Sequence, residues 1–115
     1  MTEFVTRGEW AQEVERITGT SQQPVQNPEA FITRVEASVL LADAMPGLNT
    51  GIAGNLMPPY RDIDSLDAKQ KDAVRYLYHT GIMLGDDDMM FKPYQHLAVK
   101  DSKEVAARAQ QRLQA

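Results

Sequence analysis

The stretch FITRVEAS, residues 31–38, has a near copy in FVTRGEWA, residues 4–11. Each copy places Thr three residues before Glu, and apolar residues follow at helical spacing. This is the pattern of a capping box, in which the Thr and Glu side chains each satisfy a free backbone N–H at the start of a helix. The repeat therefore predicts two helix starts, with an arginine in the first turn of each.

The same pattern occurs four times along the chain and predicts an all-α fold. The pairs are Thr6/Glu9, Thr33/Glu36, Asp67/Gln70 and Asp101/Glu104. Glycine or Pro-Gly signals predict where the first three helices end, at Gly19, Pro46 and Gly81. No strand pattern of comparable strength competes. We therefore expect one domain over residues 1–115, a bundle of four short helices joined by long ordered loops.

Composition and charge exclude several classes of function. The formal charge of −4 makes nucleic acid a poor partner, because that contact needs clustered Lys and Arg, and it counts against a helix-turn-helix DNA binder. No run approaches the roughly 18–20 apolar residues of a membrane span, so membrane insertion is not expected. The first ten residues lack the apolar core of a signal peptide, which leaves a cytoplasmic protein or a domain of a longer exported one.

No catalytic, metal or cofactor site is predicted. The chain has no cysteine, and it lacks the nucleophile-elbow, phosphate-loop and HExxH motifs. His79 and His96 have no carboxylate pattern beside them. The run Asp86–Asp88 lacks the alternation of an EF-hand loop, so a solvated turn is the favoured interpretation.

A longer repeat surrounds the helix starts. Pro28 stands five residues before Thr33, and Pro93 stands five residues before Ala98. Spacing from the proline thus places Ala98-Val99-Lys100-Asp101 in the Thr-Arg-x-Glu position, whereas alignment on the fourth capping pair places Asp101–Glu104 there. Neither alternative contains an arginine.

With these motifs the sequence resembles the S-layer homology family. Tyr60–Ile63 matches its aromatic-x-Asp-hydrophobic opening, Gly81–Gly85 its Gly-bounded apolar turn, and Phe91–Pro93 its Phe-x-Pro. The resemblance divides the chain into a half motif at 4–19, a second half motif at 25–46 and a whole motif at 60–114.

The resemblance implies a non-covalent cell-surface anchor. Domains of this family hold exported proteins on the bacterial surface by binding secondary cell-wall polysaccharide, often with pyruvylated sugars, and the arginine of Thr-Arg-x-Glu lies in their binding groove. Here Arg7 and Arg34 match that arginine. The candidate ligand-binding residues are Arg34, Arg7, Glu36, Glu9, Asp62, Trp10, Gly81 and Gly85.

The physical case for the arginines is partly independent of the resemblance. An arginine in the first turn opposes the helix dipole, so its occurrence twice suggests a task other than helix stability, and a guanidinium can bind a carboxylate with two parallel bonds. Arg34 ranks above Arg7, which lies near a chain end. In the competing interpretation each arginine pairs with a neighbouring carboxylate.

Alternatives remain for the other candidates and for the whole domain. The spacing of Trp10 favours core packing over sugar stacking, and Asp62 could brace the turn before the third helix. The chain could also be a protein-interaction module, docking another domain or a second copy through AGNLMPPY, residues 53–60, and Met89-Met90.

Overall fold

The fold contains four α-helices within the residues that the computed structural model describes, which are 3–21, 24–45, 57–85 and 88–114. They are α1 (Arg7–Thr18), α2 (Arg34–Asp43), α3 (Ala68–His79) and α4 (Val99–Gln114). β-pairing in these ranges is confined to isolated bridges between single residues. The predicted all-α class is confirmed.

The first three helices begin where the capping boxes predict. Thr6, Thr33 and Asp67 are the N-cap residues, and in each case both reciprocal hydrogen bonds of the capping box are formed. α1 ends at Gly19, whose φ of 72° is the left-handed conformation that favours glycine at a helix C-terminus. These three helix starts and the end of α1 follow from local sequence alone. α2 ends at Asp43 and α3 at His79, each earlier than the predicted stop signals at Pro46 and Gly81.

The predicted start of α4 at Asp101 is wrong. α4 begins at Val99, and the backbone N–H of Ser102 donates to the carbonyl of Ala98 at 2.9 Å, which makes Ala98 the N-cap residue. Asp101 therefore lies inside the first turn. Ala98 has no side-chain oxygen to accept a backbone N–H, so its position is set by contacts with the other two motifs instead of by a local cap.

A closed ring of backbone hydrogen bonds joins the segments before α1, α2 and α4. The Val5 N–H donates to the Leu97 carbonyl at 3.0 Å, Leu97 donates to Ile32 at 2.9 Å, and Ile32 donates to Val5 at 2.9 Å. All three side chains are buried. One chain thus forms a pseudo-threefold centre from the segments before α1, α2 and α4.

The hydrophobic core surrounds this centre. Its largest fully buried side chains are Trp10, Phe91, Ile32, Leu41, Leu77, Ile82, Met83 and Leu97. α2 packs along α3, while α1 contacts both α2 and α4. Residues 46–56, together with Asp86 and Asp87, lie outside the described residues, so the predicted turn at Asp86–Asp88 is described only at Asp88.

Candidate ligand-binding grooves

The pseudo-threefold arrangement places the first residue of a helix beside the segment that precedes another helix. The backbone N–H of Arg7 donates to Ala30 at 2.8 Å, and that of Arg34 donates to Gln95 at 2.8 Å. The third equivalent bond runs from Val99 to the carbonyl of Glu3 at 2.9 Å. The fold therefore has three related junctions, and two of them carry an arginine.

Arg34 is almost fully engaged by the loop between α3 and α4. Its Nε donates to the Phe91 carbonyl at 2.9 Å, one terminal nitrogen donates to the Leu84 carbonyl at 3.0 Å, and its guanidinium lies 5.1 Å from the centre of the Phe91 ring. Asp101 lies 3.7 Å away, and the side chain is only 11% exposed. These contacts fasten the loop to the start of α2 and leave little of the guanidinium for a ligand.

Arg7 lies at a related junction but makes fewer contacts than Arg34. One terminal nitrogen lies 2.9 Å from a carboxylate oxygen of Glu36, and the other donates to the Gln26 carbonyl at 3.3 Å. Its Nε is buried and has no hydrogen-bond partner among the described residues. At 27% exposure the side chain is more accessible than that of Arg34.

The two arginine junctions are built from matching positions. Gln26 stands two residues before Pro28, as Phe91 does before Pro93, and each of these residues accepts from the arginine through its backbone carbonyl. Glu36 and Asp101 are likewise both the third residue of their helix. Identical local sequence thus gives two arginines with different partners, because the loops that they meet differ.

A cleft of about 390 Å³ opens beside Arg7; we call it the Arg7 groove. It combines charged residues from three helix starts with an apolar wall. Its lining residues are Arg7, Val25, Gln26, Ile32, Glu36, Val39, Leu40, Asp67, Lys69 and Gln70. A cleft with apolar walls and a few converging polar groups has the composition of a small-ligand site.

The other two junctions also border clefts. The one beside Arg34 has a volume of about 260 Å³ and pairs Arg34 and Arg108 with Asp101 and Glu104, so its charges balance. Val99 lines two clefts, with volumes of about 350 and 660 Å³. Neither has an arginine at the first helical position of its junction.

Glu9 and Trp10 both serve the structure of α1. Glu9 accepts from the Thr6 backbone N–H at 2.9 Å; this bond and a bond from the Thr6 side chain lower the pKa of Glu9 below its ordinary value of 4.5. Trp10 is 1% exposed and donates through Nε1 to the Ala37 carbonyl at 3.0 Å. Its ring therefore offers no free face for a sugar, and its role is core packing.

Asp62 and the two candidate glycines shape the loop that holds Arg34. The two carboxylate oxygens of Asp62 accept from the backbone N–H groups of Phe91 at 2.9 Å and Lys92 at 2.7 Å. Gly81 lies just after the end of α3, and its backbone φ is 74°. A Cβ on Gly85 would lie 2.5 Å from the Met90 carbonyl oxygen, so only glycine fits there. These residues support the junction, and Gly85 also lines its cleft.

Sequence reasoning missed Gln26, Lys69 and Gln70, which border the Arg7 groove. The position of Gln26 two residues before Pro28 could have identified it, because Phe91 has the same relation to Pro93. Lys69 and Gln70 come from α3, and only the packing of α3 against α2 brings them to this groove. No local pattern in the sequence carries that information.

Within the described ranges, no cluster of three or more His, Asp or Glu side chains could hold a metal ion. None of the helices α1–α4 is long and apolar enough to cross a membrane.

Comparison with known proteins identifies the central part of the chain. Residues 59–96 match the family model described as S-layer homology domain. No curated protein matches the chain. The matched segment contains α3, the Asp62 brace and the loop that binds Arg34. Over residues 59–96 the sequence is therefore similar to S-layer homology domains, which in general are binding modules that anchor proteins at the cell wall and associate them with the cell surface.

Proposed function

We propose that this chain binds an anionic secondary cell-wall polysaccharide non-covalently, with Arg7 as the principal charged contact. The observation that carries the proposal is the state of Arg7. Its side chain is 27% exposed at a groove of about 390 Å³, with one ion pair to Glu36, one long hydrogen bond to Gln26, and a buried Nε that lacks a partner among the described residues. A guanidinium in this state can gain hydrogen bonds from a ligand. Arg34 has far less to gain, because strong contacts already hold it.

The groove can receive both the charge and the sugar of such a polymer. The lining has two positive side chains, Arg7 and Lys69, and two negative ones, Glu36 and Asp67, so recognition of an anion depends on the donors of Arg7 and not on net charge. A carboxylate that displaces the 3.3 Å contact to Gln26 would receive N–H donors from the Arg7 guanidinium. Val39 and Leu40 provide an apolar wall for the C–H face of a sugar ring. A carboxylate ketal, such as a pyruvylated sugar, presents an acid group and a ring together and suits both parts.

The proposal reverses the order in which sequence reasoning placed the two arginines. What supports Arg7 over Arg34 is exposure, 27% against 11%, together with the weaker set of internal partners. Glu36 belongs to the same site because it orients Arg7 from 2.9 Å. We assign Asp62 and the glycines Gly81 and Gly85 a supporting role in the neighbouring junction.

Co-sedimentation with bacterial sacculi tests the proposal. The wild-type chain should sediment with intact sacculi and remain in solution after the attached polysaccharide is chemically removed. Arg7→Ala should weaken binding about tenfold or more, since hydrogen bonds to charged groups contribute about 1.5–3 kcal/mol. Arg75→Ala is the matched control, because Arg75 is 25% exposed and also paired with one acid, Asp72, but lies outside the groove.

Two results would contradict the proposal. One is equal binding to intact and stripped sacculi, and the other is binding by Arg7→Ala as strong as that by Arg75→Ala. Circular dichroism of each variant establishes that it is folded, so that a loss of binding reports on the site.

The alternative function is a protein-docking domain that has kept the scaffold without glycan binding. The observation that favours it is the exposure of three large apolar side chains, Met57, Leu84 and Met89. Residues 53–56 of the predicted docking segment lie outside the described residues. A folded wild-type chain that fails to sediment with sacculi would favour this alternative.

A further inference from the structure

Three aromatic side chains form a cluster on the surface at the pseudo-threefold centre. Phe4, Phe31 and His96 each stand two residues before the N-cap residue of α1, α2 or α4. The ring centroids of Phe4 and Phe31 are 5.7 Å apart, those of Phe4 and His96 5.6 Å, and those of Phe31 and His96 5.5 Å. We call this near-equilateral group the aromatic triad.

The backbone ring of the fold places the triad on the outside. Val5, Ile32 and Leu97, which form the hydrogen-bonded ring, are buried. Successive side chains of extended backbone point in opposite directions, so the residue before each of these three faces solvent. The triad is therefore a direct product of the same symmetric centre that builds the core.

Although the three rings pack against one another, a large part of the two phenylalanine side chains remains exposed. The ring pairs are tilted by 58°, 71° and 54°, and such pairs contribute to stability. Yet Phe4 remains 37% exposed and Phe31 46% exposed. If a phenylalanine buries about 200 Å², these fractions leave roughly 75 and 90 Å² of apolar ring in water.

The exposed apolar area of the two phenylalanines limits the kind of partner that can bind at the triad. A stable protein interface needs about 800 Å² from each partner, several times what the two phenylalanines expose. A patch of this size is comparable with the face of one sugar ring. His96 places polar nitrogens beside the two apolar rings, and a sugar presents hydroxyl groups around an apolar C–H face.

The triad also adjoins the Arg7 groove. The backbone of Phe31 pairs with that of Thr6, the residue directly before Arg7. Ile32, the next residue after Phe31, lines the groove itself. The triad and the groove are therefore built from neighbouring residues of the same two segments, 4–7 and 31–32.

We propose that the aromatic triad is a second sugar subsite, which packs against the C–H face of a neutral pyranose in the same polysaccharide whose acid group binds at Arg7. This inference rests on the proposed function for its ligand. In this proposal the triad binds sugar rings whether or not they carry a charge, and Arg7 recognises the acid group.

The test uses polysaccharide released from purified bacterial sacculi, both as isolated and after its carboxyl groups are reduced to alcohols. Calorimetry measures affinity, and the NMR signals of the His96 ring protons report contact at the triad. Phe31→Leu should lower affinity about fivefold for both forms, because it removes an aromatic face while keeping apolar bulk. Tyr94→Ala is the control for loss of an exposed aromatic side chain outside the triad.

The outcomes separate the triad from the Arg7 proposal. Shifts of the His96 signals with the carboxyl-reduced polymer, persisting in Arg7→Ala, would support the triad as an independent subsite. Equal affinities for Phe31→Leu and Tyr94→Ala, with unshifted His96 signals, would overturn the triad and leave the Arg7 proposal intact. Loss of binding in Phe31→Leu with full binding in Arg7→Ala would overturn the Arg7 proposal and leave the triad proposal intact. Failure of the wild type to bind either form would refute both.

Discussion

Replacing Arg34 with alanine should destabilise the fold far more than replacing Arg7. The mutation removes two hydrogen bonds from a charged donor to the carbonyls of Phe91 and Leu84, and it removes the guanidinium from the Phe91 ring. It also leaves the partly buried Phe91 carbonyl without this donor. The loop between α3 and α4 then loses its attachment to the start of α2.

The contacts give a magnitude for this loss. Two hydrogen bonds to a charged group at about 1.5 kcal/mol each, plus about 0.5 kcal/mol for the cation–π contact, give roughly 3–4 kcal/mol. Asp101 adds little, since it is half exposed and 3.7 Å away. For Arg7→Ala the corresponding loss is below about 1 kcal/mol, because one exposed ion pair and one long hydrogen bond are removed.

Urea unfolding followed by Trp10 fluorescence measures both effects. Trp10 is the only tryptophan and is buried, so its emission reports loss of the core. With an m-value of about 1–3 kcal/mol per molar urea, Arg34→Ala should lower the midpoint by about 1–4 M. Arg75→Ala again serves as the control for removing a partly exposed arginine. The reasoning is refuted if Arg34→Ala unfolds within about 1 kcal/mol of Arg75→Ala.

Three further substitutions test the N-cap of α4, the loop at Gly85 and the partly buried Tyr60. Ala98→Thr should stabilise the fold by about 1 kcal/mol in chemical denaturation, because it supplies the missing N-cap oxygen to α4, with Asp101 at the third helical position; an unchanged midpoint would contradict this. Gly85→Ala should lower the thermal midpoint by several degrees, since its Cβ would lie 2.5 Å from the Met90 carbonyl oxygen, and a wild-type midpoint would show that the loop can yield. Burial raises the pKa of the Tyr60 hydroxyl above its ordinary value of 10.0, so its contribution to stability is complete below pH 10.0 and is lost as the pH rises through the raised pKa. Tyr60→Phe should therefore show a shallower fall in thermal stability above pH 10.0 than the wild type, and equal slopes would count against this role.

The helix starts were predictable wherever the cap is local. Thr6, Thr33 and Asp67 each carry an acceptor that determines the N-cap position, so the sequence signal and the structure agree. α4 differs because Ala98 has no such acceptor, while Asp101 and Glu104 mimic a capping pair three residues later. For α4, the five-residue spacing from Pro93 to Ala98 predicted the helix start better than the capping pattern did, because that spacing reflects the repeated packing of the segments before the helices.

The relative roles of the two arginines were not predictable from the sequence. Arg7 and Arg34 share the same Thr-Arg-x-Glu context, and their difference arises from loops distant in the chain. Phe91 offers Arg34 a ring and a carbonyl, whereas Gln26 offers Arg7 only a distant carbonyl. Such a difference depends on tertiary contacts that no local window contains.

The backbone ring at Val5, Ile32 and Leu97 also has a consequence for the order of events during synthesis. Its three members come from the beginning, the first third and the final part of the chain, so the ring cannot close until Leu97 has left the ribosome. Closing contacts across such long separations costs chain entropy before the core compensates for it. A nascent chain should therefore leave this ring open until residues 5–97 have all emerged, and then close it in one late step.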